Sequence, residues 1–239
     1  MTMVELILFL AAAFTMLWWV FHWCVKKCEA ANEVDWGSKW LNRLDGLNRI
    51  FCRKYHRLIC HPIPLPDTDA AIVVSNHVSG LDPLLMVAAA SRPLRFMIAR
   101  EEYERFGLQW LFRAVGCIPV DRSGRPDLAL REALRALRMG EVVALFPHGR
   151  IHVDEHAPPP KLKGGVIRLA QKSHSLIYPV RIEGVKGKGH TLLAVPLRSH
   201  ARLTSYSPLS CEGRDHYDCL DRVARILHMN DSDEEAQLN

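Results

Sequence analysis

The sequence predicts an α/β protein whose central, mostly parallel sheet is flanked by helices and preceded by a membrane-anchoring helix and an amphipathic interfacial helix. Three features predict it: an apolar run near the N-terminus, a basic helical segment after it, and short strands alternating with helices beyond it. At 239 residues, 49% apolar and 24% charged, the chain is neither disordered nor collagen-like. We expect a membrane helix (1–25), an interfacial helix and linker (26–65), an α/β domain (66–230) and an acidic tail (231–239).

The apolar run Leu6–Val25 contains two polar residues among its twenty, Thr15 and His22. A helix of 20 residues is about 30 Å long, which matches the hydrocarbon core of a bilayer. Three tryptophans cluster near its C-terminal end and two lysines follow at once, as at a membrane interface. We expect a retained anchor rather than a cleaved signal peptide, because no basic segment precedes the run and no small-x-small site follows it.

Segment 36–60 is predicted to form one amphipathic helix. Its aromatic and aliphatic residues recur at helical spacing, and the positions between them carry six basic residues against one acidic residue. Directly after a membrane helix, such a helix is expected to lie on anionic headgroups. A core helix with a solvated basic face is the alternative. The positive charge predicts that this helix and the following domain face the cytoplasm.

The seven cysteines are odd in number and form no CxxC pair. The sequence therefore predicts neither a disulfide framework nor a zinc-finger site, and reduced thiols suit a domain facing the cytosol. We find no internal repeat and no glycine-rich phosphate loop, and we expect no nucleic-acid partner.

Short apolar runs of β type alternate with helical windows after the linker. The predicted strands are Ala71–Ser75, Leu94–Ala99, Ile118–Asp121, Val142–Phe146, Ile177–Ile182 and Leu192–Pro196, with a further edge strand over Arg202–Ser210. The predicted helices are Pro83–Ala90, Glu101–Ala114, Leu128–Met139, Gly165–Lys172 and Asp215–His228.

The first strand of this domain leads directly into the sequence NHVSGLD, which contains His77 and Asp82. In open α/β sheets, ligands bind beyond the carboxyl ends of the strands, where these two residues would lie. A histidine held by a carboxylate has a fixed tautomer and is a better general base. Contact between them requires the turn at Gly80 to fold back. From spacing alone, Asp82 could instead be the N-cap of a helix that begins at Pro83.

The sequence NHVSGLD resembles the His-x4-Asp motif of the glycerolipid (lysophospholipid) acyltransferases. Three more blocks of that family follow in order, FMIAR with GCIPVDR, then FPHGR, then IYPVRIEG, so the resemblance covers about residues 70–185. It implies an acyltransferase domain of the 1-acyl-sn-glycerol-3-phosphate type. This domain would transfer a fatty acyl group from acyl-CoA or acyl carrier protein to a lysophospholipid in a membrane, with His77 as general base and Asp82 orienting it.

One block departs from the family pattern, since His148 occupies the position of a glutamate and Arg150 directly follows Gly149. This variation is similar to the branch that contains 2-acylglycerophosphoethanolamine acyltransferases, which makes that acceptor the alternative to lysophosphatidic acid. Arg100, Arg122 and Arg150 each follow a predicted strand, and with Gly149 they are predicted to bind the acceptor's phosphate. No metal or cofactor is expected besides the acyl donor.

Two functions of other classes remain open. His148, His152, Asp154 and His156 are ligand types suited to zinc or iron and could serve a metallohydrolase, although their spacing fits no standard site. A non-catalytic, lipid-binding protein of the membrane surface is favoured by the anchor, the basic helix and the missing glutamate. Consumption of an acyl thioester only when a lysolipid is present would distinguish the enzyme from that protein.

Overall fold

The computed structural model describes residues 2–122, 124, 126–151 and 161–228. Within them, seven strands form one sheet with helices on both faces. The strands are β1 (Ile59–Cys60), β2 (Ala71–Ser75), β3 (Leu94–Ala99), β4 (Ile118–Val120), β5 (Val142–Leu145), β6 (Leu176–Glu183) and β7 (Arg202–Ser205). The helices are α1 (Met3–Ala31), α2 (Lys39–Ile50), α3 (Asp82–Ala89), α4 (Arg100–Tyr103), α5 (Gln109–Ala114), α6 (Pro126–Arg138), α7 (Gly165–Ser173) and α8 (His216–His228).

The strand order is β1-β7-β6-β2-β5-β3-β4, and every neighbouring pair is parallel except β6 and β7. The predicted α/β class with a mostly parallel sheet is therefore confirmed. The carboxyl ends of β2, β3, β4 and β5 lie along one edge, so the loops that follow these strands meet there.

Helices on both faces bury the central strands completely, which is typical of parallel sheets. Each residue of β2 is buried, with Ala71 and Val73 packing towards α3 and Ile72 and Val74 packing towards α6, α7 and α8. This burial explains the uninterrupted apolar strand in the sequence and fixes the position of the loop that follows it.

Helix α1 is longer than the predicted span and contains all of Leu6–Val25. A capping box formed by Thr2 and Glu5 begins it. Its apolar side chains are exposed, and by length and composition it could cross a membrane. Near its end it packs so closely on α2 that a Cβ on Gly46 would lie 1.7 Å from the carbonyl oxygen of Cys28. This contact attaches α1 to the rest of the protein.

The prediction of a single helix over 36–60 is wrong for the second half of that segment. Helix α2 ends at Ile50, a π-helical turn follows (Phe51–Tyr55), and β1 then pairs with β7 at the sheet edge. Arg57 has a φ of 49°, which ends the right-handed helix, and the backbone groups of β1 then bond to β7. The apolar stripe of α2, formed by Trp40, Leu44 and Leu47, points outward and is 37–51% exposed.

The polar face of α2 packs inward around Arg49, whose side chain is 1% exposed. Its guanidinium donates to Asp45 (2.6 Å) and Glu33 (2.5 Å), and to the carbonyl oxygens of Ala88 and Ala90 near the end of α3. A cation at a helix C-terminus is favourable, because the last carbonyls have no partner within the helix. This charge therefore holds α2 against α3.

Two further basic residues of this segment form ion pairs with acidic residues near the end of α1. Arg43 contacts Glu29 at 2.8 Å, and Arg53 contacts Glu33 at 2.5 Å. The hydrogen bond from Arg53 lowers the pKa of Glu33 below its ordinary value. Half of the six cations that the sequence assigns to headgroups are thus paired within the protein, which corrects that expectation.

Three further predicted secondary-structure elements differ in the structure. Residues Leu192–Pro196 form turns rather than a strand, because β7 occupies the position beside β6. The helix predicted over Glu101–Ala114 is divided into α4 and α5, and Gly107, a poor helix former, lies in the connection. The edge strand predicted over Arg202–Ser210 is shorter in the structure, since β7 ends at Ser205. The acidic tail lies outside the described residues.

The expectation that all cysteines are free thiols also needs correction. Cys211 and Cys219 form a disulfide, with Cα atoms 5.8 Å apart. The turn before α8 brings them together across eight positions, a spacing that carries no recognisable signal in the sequence.

Candidate active site

The loop between β2 and α3 brings His77 and Asp82 into direct contact. Nδ1 of His77 lies 2.8 Å from Oδ2 of Asp82. The same oxygen accepts the backbone N–H groups of Val78 (2.7 Å) and Ser79 (2.9 Å). Because this oxygen acts as an acceptor, we assign the His77 proton to Nδ1, which leaves the Nε2 lone pair free to accept a proton.

Asp82 is fully buried and is the first residue of α3. Leu81 occupies the N-cap position, and the Asp82 carboxylate turns back to the preceding loop rather than capping the helix. Its second oxygen accepts the hydroxyl of Ser79 at 2.9 Å. The helix-cap interpretation is therefore wrong, and the carboxylate orients His77.

Two contacts fix this loop to the strand and the connection beyond it. The side-chain amide of Asn76 accepts from the Ile182 N–H and donates to the Ile182 carbonyl, both at 2.8 Å, which ties the end of β2 to β6. Gly80 lies against the backbone of Thr191, where a Cβ would be 1.8 Å from the carbonyl oxygen. The glycine is required for the close approach of the two backbones, whereas its φ lies outside the left-handed region and the turn itself does not need a glycine.

We expect Gly80→Ala to reduce activity severely, because the added methyl group must displace either Thr191 or the His77 loop. A misplacement of about 1 Å can lower a rate roughly 100-fold. Steady-state turnover is the measurement, and circular dichroism checks folding. Gly213→Asn, on the exposed turn before α8 and away from the cavity, is the control, since a Cβ there meets nothing within 4 Å and asparagine tolerates the positive φ of 67°. Equal turnover of the two variants would contradict the prediction.

Phe146, which follows β5, joins the histidine to a neighbouring cavity. Its ring stacks on His77 with centroids 4.0 Å apart and planes at 14°, while Phe96 lies 6.2 Å away. The imidazole is 17% exposed, so it remains accessible from one side. An apolar face behind the ring limits its motion and excludes water from that face.

A cavity of about 490 Å³ opens on the other side of Phe146, at the carboxyl edge of the sheet between α6 and α7. Its wall is apolar at the bottom and carries four charged side chains. The apolar lining includes Met97, Val120, Leu130, Leu145, Val166 and Leu169. The charged residues are Arg122, Asp127, Lys163 and Arg168. A site with an apolar floor and cationic groups suits an amphiphile that bears phosphate.

The predicted phosphate-binding residues occupy different positions in the structure. Arg122 and Gly149 line the cavity. Arg100 is exposed and forms ion pairs with Glu104 (2.9 Å) and Asp121 (3.6 Å). Arg150 is exposed just after Gly149. Among the described residues, Arg100 and Arg150 do not line the cavity, so the three guanidinium groups do not converge there as expected.

Lys163 and Arg168 are cavity residues that the sequence prediction missed. Lys163 is anchored by its backbone N–H, which donates to the carbonyl of Pro147 at 2.9 Å. Arg168 lies on α7, and a helical position carries no signal comparable to a polar residue at a strand end. The sequence predicts Phe146 to be the last residue of a strand, whereas β5 ends one residue earlier, at Leu145.

His148, which replaces the family's glutamate, is 5% exposed. Its Nε2 lies 3.2 Å from Nε2 of His228, so the pair links the loop after β5 to α8. The other histidines and the aspartate of the proposed metal site lie outside the described residues. Within the described ranges, no three potential metal-ligating side chains come together.

Cys117 is the cysteine of the second sequence block and packs against the same core as Phe146. Burial raises the pKa of its thiol to about 12, and it does the same for Cys52. Thiols with such values are protonated at neutral pH and are poor nucleophiles.

Comparison with known proteins places these features in a family. A family model described as Acyltransferase matches residues 58–183, which is more than half of the chain. The chain belongs to the acyltransferase family. This finding confirms the resemblance deduced from the four sequence blocks.

Several relatives of this acyltransferase-family chain carry more specific names. A "Probable 1-acyl-sn-glycerol-3-phosphate acyltransferase" of Mycoplasma pneumoniae is 28% identical over 54% of this chain and 50% of its own length. A protein of the same name from Mycoplasma genitalium is 32% identical over 49% of this chain and 45% of its own. The chain thus spans about half the length of these two relatives. An Arabidopsis thaliana relative, 32% identical over 43% of this chain and 39% of its own length, is named N-acylphosphatidylethanolamine synthase.

A solved structure has the same fold as this member of the acyltransferase family. It is the 1-acyl-sn-glycerophosphate (LPA) acyltransferase PlsC from Thermotoga maritima, with a TM-score of 0.63. The likeness covers 86% of this chain and 84% of that one at 20% sequence identity. It therefore supports the α/β architecture described above.

Proposed function

We propose that this protein transfers a fatty acyl group from a thioester, acyl-CoA or acyl carrier protein, to the glycerol hydroxyl of a lysophospholipid. The observation that carries the proposal is the contact between His77 and the buried Asp82 at the carboxyl edge of the sheet. With Nδ1 donating to the carboxylate, Nε2 is the nitrogen that can accept the hydroxyl proton.

In the proposed reaction, Nε2 of His77 takes the proton of the acceptor hydroxyl while that oxygen attacks the thioester carbonyl. Asp82 stabilises the imidazolium that forms. The new C–O bond forms first. The C–S bond then breaks, and the imidazolium returns the proton to the departing thiolate. One histidine thus serves as base and then as acid.

Direct transfer is favoured over an acyl-enzyme intermediate. The hydroxyl of Ser79 donates to Asp82 rather than facing His77. Cys117, which packs against the same core as Phe146, has a pKa raised to about 12 by burial. These groups are poor candidates for a nucleophile, whereas the acceptor supplies its own hydroxyl.

Lysophosphatidic acid is the proposed acceptor, and 2-acylglycerophosphoethanolamine is the alternative. Arg122, Lys163 and Arg168 supply positive charge at the cavity wall. A phosphate monoester carries more negative charge than a phosphodiester headgroup, which favours lysophosphatidic acid at such a wall. The two Mycoplasma relatives named for 1-acyl-sn-glycerol-3-phosphate support the same choice.

The purified full-length chain, offered radiolabelled acyl-CoA and acyl carrier protein, tests this proposal against a panel of lysophospholipids and monoacylglycerol. We expect thioester consumption only with a phosphate-bearing lysolipid, with lysophosphatidic acid preferred. Lipid binding without thioester consumption would instead support the non-catalytic lipid-binding protein. Equal acylation of monoacylglycerol would contradict the role of the phosphate.

Replacing Arg122 by alanine should chiefly raise the acceptor's KM, because a phosphate contact is present in both the ground and transition states. Loss of a charge-assisted hydrogen bond of about 1.5–3 kcal/mol corresponds to a roughly 10- to 100-fold rise. Arg225→Ala on α8, whose side chain is 68% exposed in a surface ion pair, is the matched control. An unchanged KM in Arg122→Ala would exclude this arginine from phosphate binding.

The proposed location is the membrane, with α1 as the anchor and the catalytic domain on the cytoplasmic side. The length and exposure of α1 support the anchor. The basic residues that follow the apolar run support the orientation, whereas the disulfide between Cys211 and Cys219 is unusual for a cytosolic domain.

A further inference from the structure

The connection between β6 and β7 has an unusual surface for a loop. Residues 186–198, which we name the docking loop, read KGKGHTLLAVPLR. Leu192, Leu193 and Leu197 are 57%, 62% and 44% exposed. Lys186 and Arg198 are exposed at its two ends. Protruding leucines between cations are typical of a segment that enters the interface of an anionic bilayer.

The docking loop is held firmly on one side by the loop that carries His77. The N–H of Gly80 donates to the carbonyl of His190 at 3.1 Å, and the N–H of Gly189 donates to the carbonyl of Val78 at 2.9 Å. These two bonds join the docking loop to residues between His77 and Asp82. Contact of the docking loop with another surface therefore acts directly on the loop that carries His77.

Side chains of the π-helical turn hold the other end of the docking loop. The Tyr55 hydroxyl donates to the carbonyl of Pro196 at 2.6 Å, and Nε2–H of His56 donates to the carbonyl of Val195 at 3.0 Å. These bonds satisfy carbonyl groups that lack a strand partner. The exposed leucines are thus presented on a braced backbone.

The apolar surface of the docking loop is continuous with that of α2. The stripe formed by Trp40, Leu44 and Leu47 leads along α2 to the π-helical turn, where Tyr55 is 39% exposed and contacts Pro196. Helix α1 packs on the flank of α2 through Gly46. A bilayer that holds α1 would therefore also meet this stripe.

The stripe also extends beyond α2 in the opposite direction. The ring of Trp110 lies 5.5 Å from that of Trp40, and Phe106 in the preceding connection is fully exposed. Monomeric soluble proteins rarely leave such a contiguous apolar surface uncovered. Its position beside α1 identifies the occupant as a lipid surface.

We propose that the docking loop inserts into the bilayer interface through Leu192, Leu193 and Leu197, as a contact additional to those of α1 and the α2 stripe. This inference rests on the membrane location given in the proposed function and adds the contact surface.

Photolabelling of the full-length chain in vesicles of phosphatidylcholine and phosphatidylglycerol tests this contact without requiring turnover. The probe is a phosphatidylcholine with a diazirine near the carboxyl end of one acyl chain, which samples the interface and offers no acceptor hydroxyl. Trypsin cleavage after Lys188 and Arg198 gives peptide 189–198, which contains the three exposed leucines. We expect lipid adducts on this peptide and on α1.

Tyr217 on α8 provides the control, because it is 78% exposed and α8 packs on the other face of the sheet. Its peptide, 215–222 after reduction, should carry at least tenfold fewer adducts than peptide 189–198. Labelling of α1 without labelling of peptide 189–198, or equal labelling of both peptides, would overturn the proposal. Labelled 189–198 in a protein that transfers no acyl group would support docking and contradict the proposed function.

A variant series measures the effect of docking on the reaction. We expect Leu192→Ser combined with Leu193→Ser to lower kcat/KM for a vesicle-embedded acceptor roughly tenfold, because the docked fraction falls. Tyr217→Ser should change it less than twofold. Equal values for the two variants would show that the leucines do not dock the active site.

Discussion

His77→Ala should lower the rate of acyl transfer by roughly 10²–10⁴-fold, which is the usual contribution of a positioned general base. The imidazole is held by the buried Asp82 at 2.8 Å and by stacking on Phe146, so its removal leaves no other base in that position among the residues described. Single-turnover rates with saturating thioester and acceptor are the measurement. Asp82→Asn should be less severe but still strongly impaired, because an amide cannot accept every hydrogen bond that the carboxylate accepts.

The control for this prediction is His61→Ala, which removes an exposed histidine near the sheet edge. Both histidine variants should have the circular dichroism spectrum of the unmodified protein. A folded His77→Ala protein that transfers acyl groups within threefold of the unmodified rate would refute the general-base mechanism.

Arg49→Met is expected to cause the largest loss of stability, about 3–5 kcal/mol. The variant leaves the buried Asp45 carboxylate without its cation and removes donors from the carbonyls of Ala88 and Ala90. Such buried groups lose their hydration without gaining another partner. For a domain of this size, the melting temperature should fall by about 6–20 °C, measured in detergent by circular dichroism.

Arg43→Met is the matched control, because it also removes an arginine of α2 that pairs with an acidic residue. Its ion pair with Glu29 is 45–49% exposed, and such surface pairs contribute at most about 1 kcal/mol. A second test is the combination of Asp45→Asn with Arg49→Met, which should recover part of the lost stability. If Arg49→Met melts at the same temperature as Arg43→Met, the buried network does not stabilise the junction of α2 and α3.

The residues of the site that are neighbours in the sequence could be predicted best. Strand β2 and the loop that follows it are contiguous, so the apolar run and the residues NHVSGLD suffice to place His77 at the carboxyl edge of the sheet. The fold class follows in the same way from alternating strands and helices. The hydrogen bonds of Asp82 were less predictable, since a helix cap and a backward turn need the same residue types.

Features that depend on contacts between distant segments could not be predicted. Arg49 looks like a solvated cation in the sequence, because its partner Glu33 lies 16 positions away and its carbonyl partners about 40 away. Leu192–Pro196 has the composition of a strand, yet the place beside β6 belongs to β7. Local composition does not distinguish a strand from leucines exposed on a loop.

Phe146 marks a boundary between two parts of the protein that can vary independently. The His77–Asp82 pair and the hydrogen bonds that orient it come from one short loop and its tie to β6. The cavity on the other side of the ring is built by β3, β4, α6 and α7. Substitutions in those elements can therefore change which molecule is accommodated while the contact between His77 and Asp82 stays intact. Such a modular division would let one scaffold serve acceptors with different headgroups, and it makes the cavity wall the place to redesign selectivity.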